Sequence, residues 1–344
     1  MLHQETSVAV IGAGAIGGIT AAYLGKAGWD VELVCKHQQT VDRVASSGLR
    51  VFGIRGEDVY RVKAVRQIAD LSSTKDVVLL ATKADACVEA AQEALPFLRD
   101  TSVLVSLQNG ISEYRLAEIA GRERVIGCVV GWGATMHGPG ELEMTSEGEF
   151  VVGNIDHKPD SRLPRIQEML SAVVPTRISE NIMGELYSKL IVNSCINSLG
   201  AITGLPLGKL LAIRKARNLF IRIMEEAIHV ADAMGLRVEP GGGGKLDFYR
   251  FLGSTSLSAR FKQHVTIRAI GFKYRRIRSS SLQSLERGRK TEVDFLNGYI
   301  THMGRVHGIP TPVNDALVTI IKEIESGSRP ISPQNLHDTL LGLQ

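Results

Sequence analysis

The segment VAVIGAGAIGG, residues Val8–Gly18, decides the fold of this 344-residue chain. A short aliphatic run, Val8–Ile11, leads directly into a GxGxxG pattern built on Gly12, Gly14 and Gly17. After a strand and at the start of a helix, this pattern is typical of a dinucleotide-binding βαβ unit. Gly12 would permit the tight turn, Gly14 would let the backbone approach a pyrophosphate, and Gly17 would allow close helix–strand packing.

Strand and helix signals alternate through the first half of the chain. Strands are predicted at Val8–Ile11, Val31–Cys35, Val77–Ala81, Val103–Ser106, Val125–Gly131, Glu141–Met144 and Phe150–Gly153, and a helix at Gly14–Gly28 that Gly28 caps. After about Ser179 only helical spacing remains, at Glu180–Ala201, Lys209–Met234, Ser281–His307 and Asn314–Ser326. The pattern predicts an α/β Rossmann-type dinucleotide-binding domain over residues 1–178, followed by an all-α domain over residues 179–344.

The composition is that of a globular protein, with 44% apolar and 22% charged residues. Four widely spaced cysteines form no CxxC pair, which disfavours a disulfide framework and a zinc site and indicates reduced thiols. The first residues do not resemble a secretory signal, and no apolar run is long enough to span a membrane. We expect a cytoplasmic protein with no metal and no membrane segment.

The end of the second predicted strand bears on the choice of dinucleotide. A carboxylate there would accept a hydrogen bond from the ribose 2′-hydroxyl of NAD. This chain instead has Cys35-Lys36-His37, and its nearest carboxylate, Glu32, lies inside the strand. Lys36 could pair with a 2′-phosphate, which favours NADP(H); a solvated lysine at a strand end is the alternative.

A polar stripe crosses the apolar segment Glu180–Ala201. Lys189, Asn193 and Asn197 lie at i, i+4 and i+8, on one side of the predicted helix. Asparagine is a poor helix former, and burying an unpaired lysine is costly. The stripe therefore predicts one wall of a cleft that faces a carboxylate or carbonyl; a stripe that faces water is the alternative.

Further polar residues follow predicted strands or share a helix face. Asn109, in Gln108-Asn109-Gly110, and Thr82-Lys83 each come directly after a strand, where ligands of open α/β sheets bind. Asn-Gly is also a common turn pair. In the predicted helix Ser281–His307, Ser281 is placed as N-cap, and Glu292 shares a face with Leu296 and Tyr299. Glu292 is thus expected to point inward, or else to be structural.

Six blocks in order resemble the ketopantoate reductase family of NADPH-dependent enzymes, which are 6-phosphogluconate-dehydrogenase-like. They are VAVIGAGAIGG, TKAD, SLQNGI, WGATMHGPG, KLIVNSCINSLGAITG and SSSLQSLERGRKTEVDFLNGYI. The resemblance implies an NADP-dependent oxidoreductase in which Lys189 is the general acid. It implies that Asn193, Asn197, Ser281 and Glu292 bind substrate. The residues that it places against NADP(H) are Gly12, Ala13, Gly14, Ala15, Ile16, Gly17, Lys36, Lys83, Asn109, Ala134 and Glu292.

Three departures from the family pattern affect what the resemblance predicts. Leu207 stands where the family has a further asparagine, Lys36 replaces the usual arginine, and the segment between Gly235 and Ser281 is longer. The expected reaction is reduction of ketopantoate to (R)-pantoate, with a keto acid as partner and a homodimer as one assembly the family allows. The alternatives are a paralogue that reduces another keto acid or an imine, and a non-catalytic dinucleotide sensor that binds nucleic acid.

The formal net charge of +4 comes from one stretch, Arg260–Arg278. It contains seven lysines and arginines and no acid; the remaining 33 basic residues are outnumbered by 36 acidic ones. Its apolar members suggest an ordered segment. It could be a solvated face, a subunit contact or a nucleic-acid patch, or it could line the mouth of the cleft and attract an anionic substrate. Nucleic acid is disfavoured because every residue that the reductase chemistry needs is present.

Overall fold

The computed structural model describes residues 6–342 and divides into two compact units between Leu186 and Tyr187. This division lies inside the helix Ile182–Thr203, which the sequence pattern assigned whole to the second domain. The predicted boundary between residues 178 and 179 stays a prediction. The α/β class of the first unit and the helical class of the second are confirmed.

The first unit is built on an eight-stranded sheet and a four-stranded sheet. In chain order its strands are β1 Ser7–Ile11, β2 Asp30–Val34, β3 Leu49–Gly53, β4 Asp58–Tyr60, β5 Lys63–Val65, β6 Lys75–Leu80, β7 Leu98–Ser106, β8 Val125–Val130, β9 Gly133–Gly138, β10 Glu141–Ser146, β11 Phe150–Asn154 and β12 Thr176–Ile178. The large sheet has the order β5-β2-β1-β6-β7-β8-β11-β12, and β11 runs antiparallel to β8. Because the order reverses between β1 and β6, the sheet is doubly wound with its switch point there.

The helices of the first unit pack on strands that are apolar on both faces. They are Ala15–Lys26, Gln38–Ser47, Cys87–Ala94, Glu113–Ala120 and Leu163–Ser171. All five residues of β1 are buried, which is why a run without alternation still forms a strand. The predicted helix at Gly14–Gly28 is confirmed within two residues at each end, and Gly28 takes φ +87° just beyond it.

The small sheet has the order β4-β3-β10-β9 and lies against the helix Ala15–Lys26. Gly18 makes this approach possible, because a Cβ atom there would lie 2.5 Å from Cδ1 of Leu142 on β10. The residues that follow the GxGxxG turn are thus held between two sheets.

The second unit is helical. Its helices are Leu207–Ala212, Arg214–Ala233, Phe248–Leu252, Leu257–Lys273, Ser280–Glu286, Asn297–His307 and Pro312–Glu325, together with the part of Ile182–Thr203 from Tyr187 onward. Gly241–Gly244 forms a turn in which Gly242 and Gly243 have left-handed φ and ψ. No helix in the described part of the chain is long and apolar enough to cross a membrane.

The prediction of one helix over Lys209–Met234 is wrong. The chain breaks at Ile213, whose extended backbone has ψ 125°. Arg217 stabilises the break, because its guanidinium donates to the carbonyl oxygens of Leu211 and Ala212 at 2.8 and 2.7 Å. A buried arginine thus satisfies the carbonyl groups that the first helix leaves at its C-terminus.

The prediction of one helix over Ser281–His307 is also wrong. The first part ends at Glu286 because Gly288 adopts φ +65°, and the N–H groups of Gly288 and Arg289 turn back to the carbonyl oxygens of Leu285 and Ser284. This is a Schellman ending, which glycine favours. A short 3-10 turn, Val293–Phe295, then precedes Asn297–His307.

Candidate active site

The carboxyl ends of β1, β2, β6 and β7 form one edge of the large sheet. Backbone hydrogen bonds continue past the ends of the strands. The N–H groups of Gly12, Ala81 and Leu107 donate to the carbonyl oxygens of Val34, Ile11 and Leu80, respectively, at 2.8 to 3.1 Å. The chain leaves this edge at the glycine turn, at Lys36, at Lys83 and at Asn109. Ligands of doubly wound sheets bind outside this edge at the switch point, which here lies between β1 and β6.

The three glycines of the turn have three different surroundings. A Cβ atom at Gly12, which has φ +114°, would lie 2.7 Å from the backbone of Ala81. A Cβ atom at Gly17 would lie 2.0 Å from the carbonyl oxygen of Gly12. A Cβ atom at Gly14 would meet no described atom within 4 Å. The turn and its packing therefore require Gly12 and Gly17, while Gly14 borders open space that a ligand backbone contact would need.

The helix that follows the turn presents free donors. Gly14 is its N-cap, and within residues 6–342 no side chain caps it. The Gly18 N–H is bonded to the Gly14 carbonyl oxygen at 2.8 Å, so the N–H groups of Ala15, Ile16 and Gly17 precede the first intrahelical bond. Such a helix N-terminus attracts phosphate groups. The surroundings of Gly14 and these donors fit the pyrophosphate of a dinucleotide.

Two charged residues of the second strand region have different roles. Lys36 is exposed between β2 and the helix Gln38–Ser47. Glu32 is buried inside β2, where it forms ion pairs with Lys63 at 2.6 Å and with the buried Lys75, and accepts a hydrogen bond from Ser72. Burial raises the pKa of Glu32, but these hydrogen bonds outweigh it and lower the pKa to about 2. The carboxylate of Glu32 is thus occupied by Lys63, Lys75 and Ser72, and Lys36 is the charged side chain at the end of β2.

Three other predicted cofactor residues have distinct environments. Lys83 is exposed just after β6, and Asn109 is half-buried just after β7. Ala134 is half-buried on β9 and packs on the same core as Ala13 and Ile16. Their contacts with a cofactor stay a prediction.

Sequence reasoning missed the role of Gln108 at this edge. Its side chain is buried; Nε2 donates to the Leu80 carbonyl oxygen at 2.9 Å and Oε1 accepts from Ser106 at 2.7 Å. Gln108 thereby ties the ends of β6 and β7 together. A polar residue directly after a buried strand was the available signal.

The polar stripe lies on the half-buried side of the helix Ile182–Thr203. Lys189 and Asn193 are half-buried and Asn197 is buried, with 6% of its surface exposed. The neighbouring residues Leu186 and Leu190 are buried. None of the three polar residues is fully exposed, and they share this helix with mostly buried neighbours. That the stripe lines a cleft rather than facing water stays a prediction.

The serine run Ser279–Ser281 lies against the same helix. Ser280 Oγ donates to Asn197 Oδ1 at 3.2 Å, and a Cβ atom at Gly200 would lie 2.5 Å from Ser279 Oγ. The prediction that Ser281 is the N-cap is wrong: Ser279 caps the helix by accepting from the Leu282 N–H, and Ser281 is buried inside the first turn. All three residues can cap, and the extended backbone at Ser279 decides which one does.

Glu292 does not lie on a continuous helix. It precedes the 3-10 turn Val293–Phe295 and is half-buried, so the predicted helical face shared with Leu296 and Tyr299 is wrong. The adjacent Thr291 anchors the segment, because its N–H and hydroxyl both donate to Glu325 Oε1 at 2.7 Å. The role of Glu292 toward substrate or cofactor stays a prediction.

A buried polar network supports the helix that carries the stripe. Glu226 accepts from the N–H groups of Val313 and Asn314 and from Asn314 Nδ2, at 2.7 to 3.0 Å. Asn297 Nδ2 in turn donates to Asn314 Oδ1 at 2.9 Å and to the Ser194 carbonyl oxygen at 3.4 Å. The network fixes the backbone next to Asn193, and sequence periodicity gave no sign of it.

Comparison with known proteins identifies the family. Residues 8–157 match the family described as ketopantoate reductase PanE/ApbA, and residues 181–325 match its C-terminal family. The 2-dehydropantoate 2-reductase of Pyrococcus abyssi is 30% identical over 329 residues, covering 92% of this chain and 97% of that protein. The chain belongs to the ketopantoate reductase family. It is accordingly an oxidoreductase that acts on a CH–OH group.

Solved structures agree with this assignment. A PanE/ApbA family ketopantoate reductase from Ralstonia eutropha JMP134 superposes with a TM-score of 0.79 at 30% identity, covering 93% of this chain and 99% of that one. D-mandelate dehydrogenase, solved with NADH and anilino(oxo)acetate, has a TM-score of 0.78 at 22% identity, covering 93% and 99%. At this lower identity, the likeness to D-mandelate dehydrogenase shows a common fold alone.

Proposed function

We propose that this protein reduces 2-dehydropantoate (ketopantoate) to (R)-pantoate, a step of pantothenate and coenzyme A biosynthesis, with NADPH. The polar stripe of Lys189, Asn193 and Asn197 is the observation that carries the proposal. A lysine and two amides on the half-buried side of a buried helix suit a small anionic carbonyl compound. Family membership adds a reductase chemistry in which such a compound is the substrate.

The cofactor proposal rests on the first unit. Gly12–Gly17 would hold the pyrophosphate at the helix N-terminus, and Lys36 would pair with the 2′-phosphate. Glu32 is engaged with Lys63 and Lys75, so it is not available to accept from a ribose hydroxyl. When bound, NADPH supplies the hydride for the ketone carbon.

Lys189 acts as the general acid in this proposal. Its ammonium donates a proton to the ketone oxygen as negative charge develops there, and it stabilises that charge electrostatically. Its position on a half-buried helix face reduces competition from water for this proton. The neutral lysine must then regain a proton before the next turnover.

Substrate orientation is assigned to the remaining polar residues. The amides of Asn193 and Asn197 would hold the carboxylate or hydroxyl of the keto acid. Ser280 already donates to Asn197 Oδ1, which leaves the Nδ2 group of Asn197 as the donor for an anion. Ser281 and Glu292 would bind the substrate hydroxyl.

A different keto acid is the second candidate, because Leu207 replaces a polar family residue. Leu207 is buried, and its N–H donates to the Ile277 carbonyl oxygen at 2.9 Å. If this position borders the substrate, an apolar side chain would favour a keto acid with a larger apolar group and would disfavour a hydroxylated one.

The test is NADPH consumption by the purified protein with ketopantoate and with a panel of other 2-keto acids. Preference for ketopantoate by kcat/KM supports the first candidate, and preference for an apolar keto acid supports the second. Lys189→Ala should lower kcat by about a hundredfold or more while NADPH binding, measured by fluorescence, persists. Lys209→Ala, which changes an exposed lysine of the same unit, is the matched control. Near-normal turnover of Lys189→Ala would refute the assigned acid.

A further inference from the structure

The helix Leu257–Lys273 has one buried side and a separate side with exposed apolar side chains. One side, formed by Gln263, Ile267 and Gly271, is buried. Gly271 fits against the helix Leu207–Ala212, because a Cβ atom there would lie 2.7 Å from Leu211 Cβ. This side accounts for the attachment of the helix to the second unit.

The exposed apolar side is the outer face, formed by Leu257, Phe261, Val265 and Phe272. These side chains are 92%, 71%, 51% and 72% exposed. Their spacing of four, four and seven residues places them in one row along the helix. Leu257, Phe261 and Val265 follow one another on successive turns, and the exposed Arg268 separates them from Phe272 in the same row. Several large exposed apolar side chains on one helix face are more than the scattered exposure that is normal for a surface.

Cations flank the outer face. Lys262, Arg268 and Lys273 are exposed on the same helix, and the stretch Arg260–Arg278 contains no acid. Two copies that met through this face about a twofold axis would bring like charges together. The charge therefore favours an anionic partner over a second copy.

A small open depression lies at the end of the helix. It has a volume of about 300 Å³ and is lined by Lys273, Tyr274, Arg275, Arg276 and Ile277. Three of these five residues are positively charged, and such a cluster attracts anions. The depression adjoins Phe272, over whose ring the Arg275 guanidinium lies at 5.4 Å. The basic cluster and the outer face are thus adjacent.

We infer that the outer face binds the surface of an anionic phospholipid bilayer. The helix would lie in the interface, with the row of apolar side chains among the acyl chains and the cations against headgroup phosphates. Aliphatic Leu257 and Val265 in the row have no partner on a nucleic-acid backbone, whereas acyl chains match them. This binding is peripheral and independent of the proposed reductase reaction.

The experiment is flotation of the full-length protein with vesicles of phosphatidylcholine alone or with about 30 mol% phosphatidylglycerol. We expect binding to the anionic vesicles that weakens as salt is raised, and little binding to the neutral ones. Phe261→Ser/Phe272→Ser should reduce binding by about tenfold or more, because the two rings supply much of the apolar contact. Val306→Ser, which changes another exposed apolar side chain, should bind like the unsubstituted protein.

Other outcomes would overturn the inference. Equal binding by the double-serine variant would remove the outer face from the interaction, and absence of binding to anionic vesicles would exclude the bilayer. Displacement by inorganic phosphate alone would indicate a free-anion site. A dimer that dissociates on Phe261→Ser/Phe272→Ser would assign the face to a second copy, and salt-sensitive binding of duplex DNA without vesicle binding would assign it to nucleic acid. Unchanged reductase activity in the double-serine variant keeps this test separate from the proposed function.

Discussion

Gly17 packs against Gly12 so closely that a Cβ atom at Gly17 would lie 2.0 Å from the Gly12 carbonyl oxygen. Gly14, between them in sequence, borders open space. The same motif thus contains a glycine that the fold requires and one whose side of the turn is clear for a ligand. Substitution by alanine can separate these two requirements.

Gly17→Ala should destabilise the protein by about 1 to 3 kcal/mol, because the added methyl group forces the helix away from the turn. Gly14→Ala should leave stability nearly unchanged, since its φ of −72° suits alanine, yet should weaken NADPH binding by about tenfold or more. Urea unfolding and NADPH fluorescence titration measure the two effects. Unaltered NADPH affinity in Gly14→Ala would contradict the proposed position of the pyrophosphate.

Lys36→Ala should raise KM for NADPH by about tenfold to a hundredfold, because one charged hydrogen bond to the 2′-phosphate is lost. KM for NADH should change little, since NADH lacks that phosphate. Lys158→Ala, an exposed lysine elsewhere in the first unit, controls for the loss of one positive charge. Equal effects of Lys36→Ala on both cofactors would show that Lys36 does not read the 2′-phosphate.

Glu32→Gln should cost about 3 kcal/mol of unfolding free energy at neutral pH, because it leaves the buried Lys75 without its carboxylate. The folded-state pKa of Glu32, about 2, is below the ordinary value of 4.5. The ionised carboxylate therefore stabilises the folded state fully at pH values above 4.5. That contribution is lost as pH falls from 4.5 toward 2. Urea unfolding of both proteins across this range should show the difference shrinking. Asp30→Asn, an exposed change on the same strand, should show no comparable trend.

Glu226→Gln should destabilise the second unit by about 1 to 3 kcal/mol, because an amide NH2 would face one of the N–H donors of Val313 and Asn314. Burial raises the pKa of Glu226 even though those donors oppose the shift. The neighbouring Glu225, which pairs with Arg260 at 3.0 Å nearer the surface, is the matched control. In urea unfolding of both variants, Glu225→Gln should lower the free energy of unfolding by no more than about 1 kcal/mol. Equal costs would show that the buried network adds no more to stability than the ion pair near the surface.

The local sequence determined the glycine turn, the polar stripe and strands β1, β2, β6, β7, β8, β10 and β11. It did not reveal the short or partly exposed strands β3, β4, β5, β9 and β12. A strand buried on both faces must be continuously apolar, a turn that meets its neighbour's backbone must be glycine, and residues four apart share a helix face. These rules act over a few residues, so β1, Gly12 and Lys189 could be recognised from the sequence alone.

Contacts that form in the folded protein decided what local patterns could not. Helical spacing continues through Ile213 and Gly288, and the contacts that end the helices there, from the Arg217 guanidinium and in a Schellman turn, reach no more than six residues. Three adjacent serines could each cap a helix, and the cap is Ser279, which has extended backbone and lies against Gly200 of another helix. The Glu226–Asn314–Asn297 network joins residues up to 88 positions apart, which no short-range pattern encodes. Local propensity limits which conformations are available, and the burial and pairing of distant polar groups select among them.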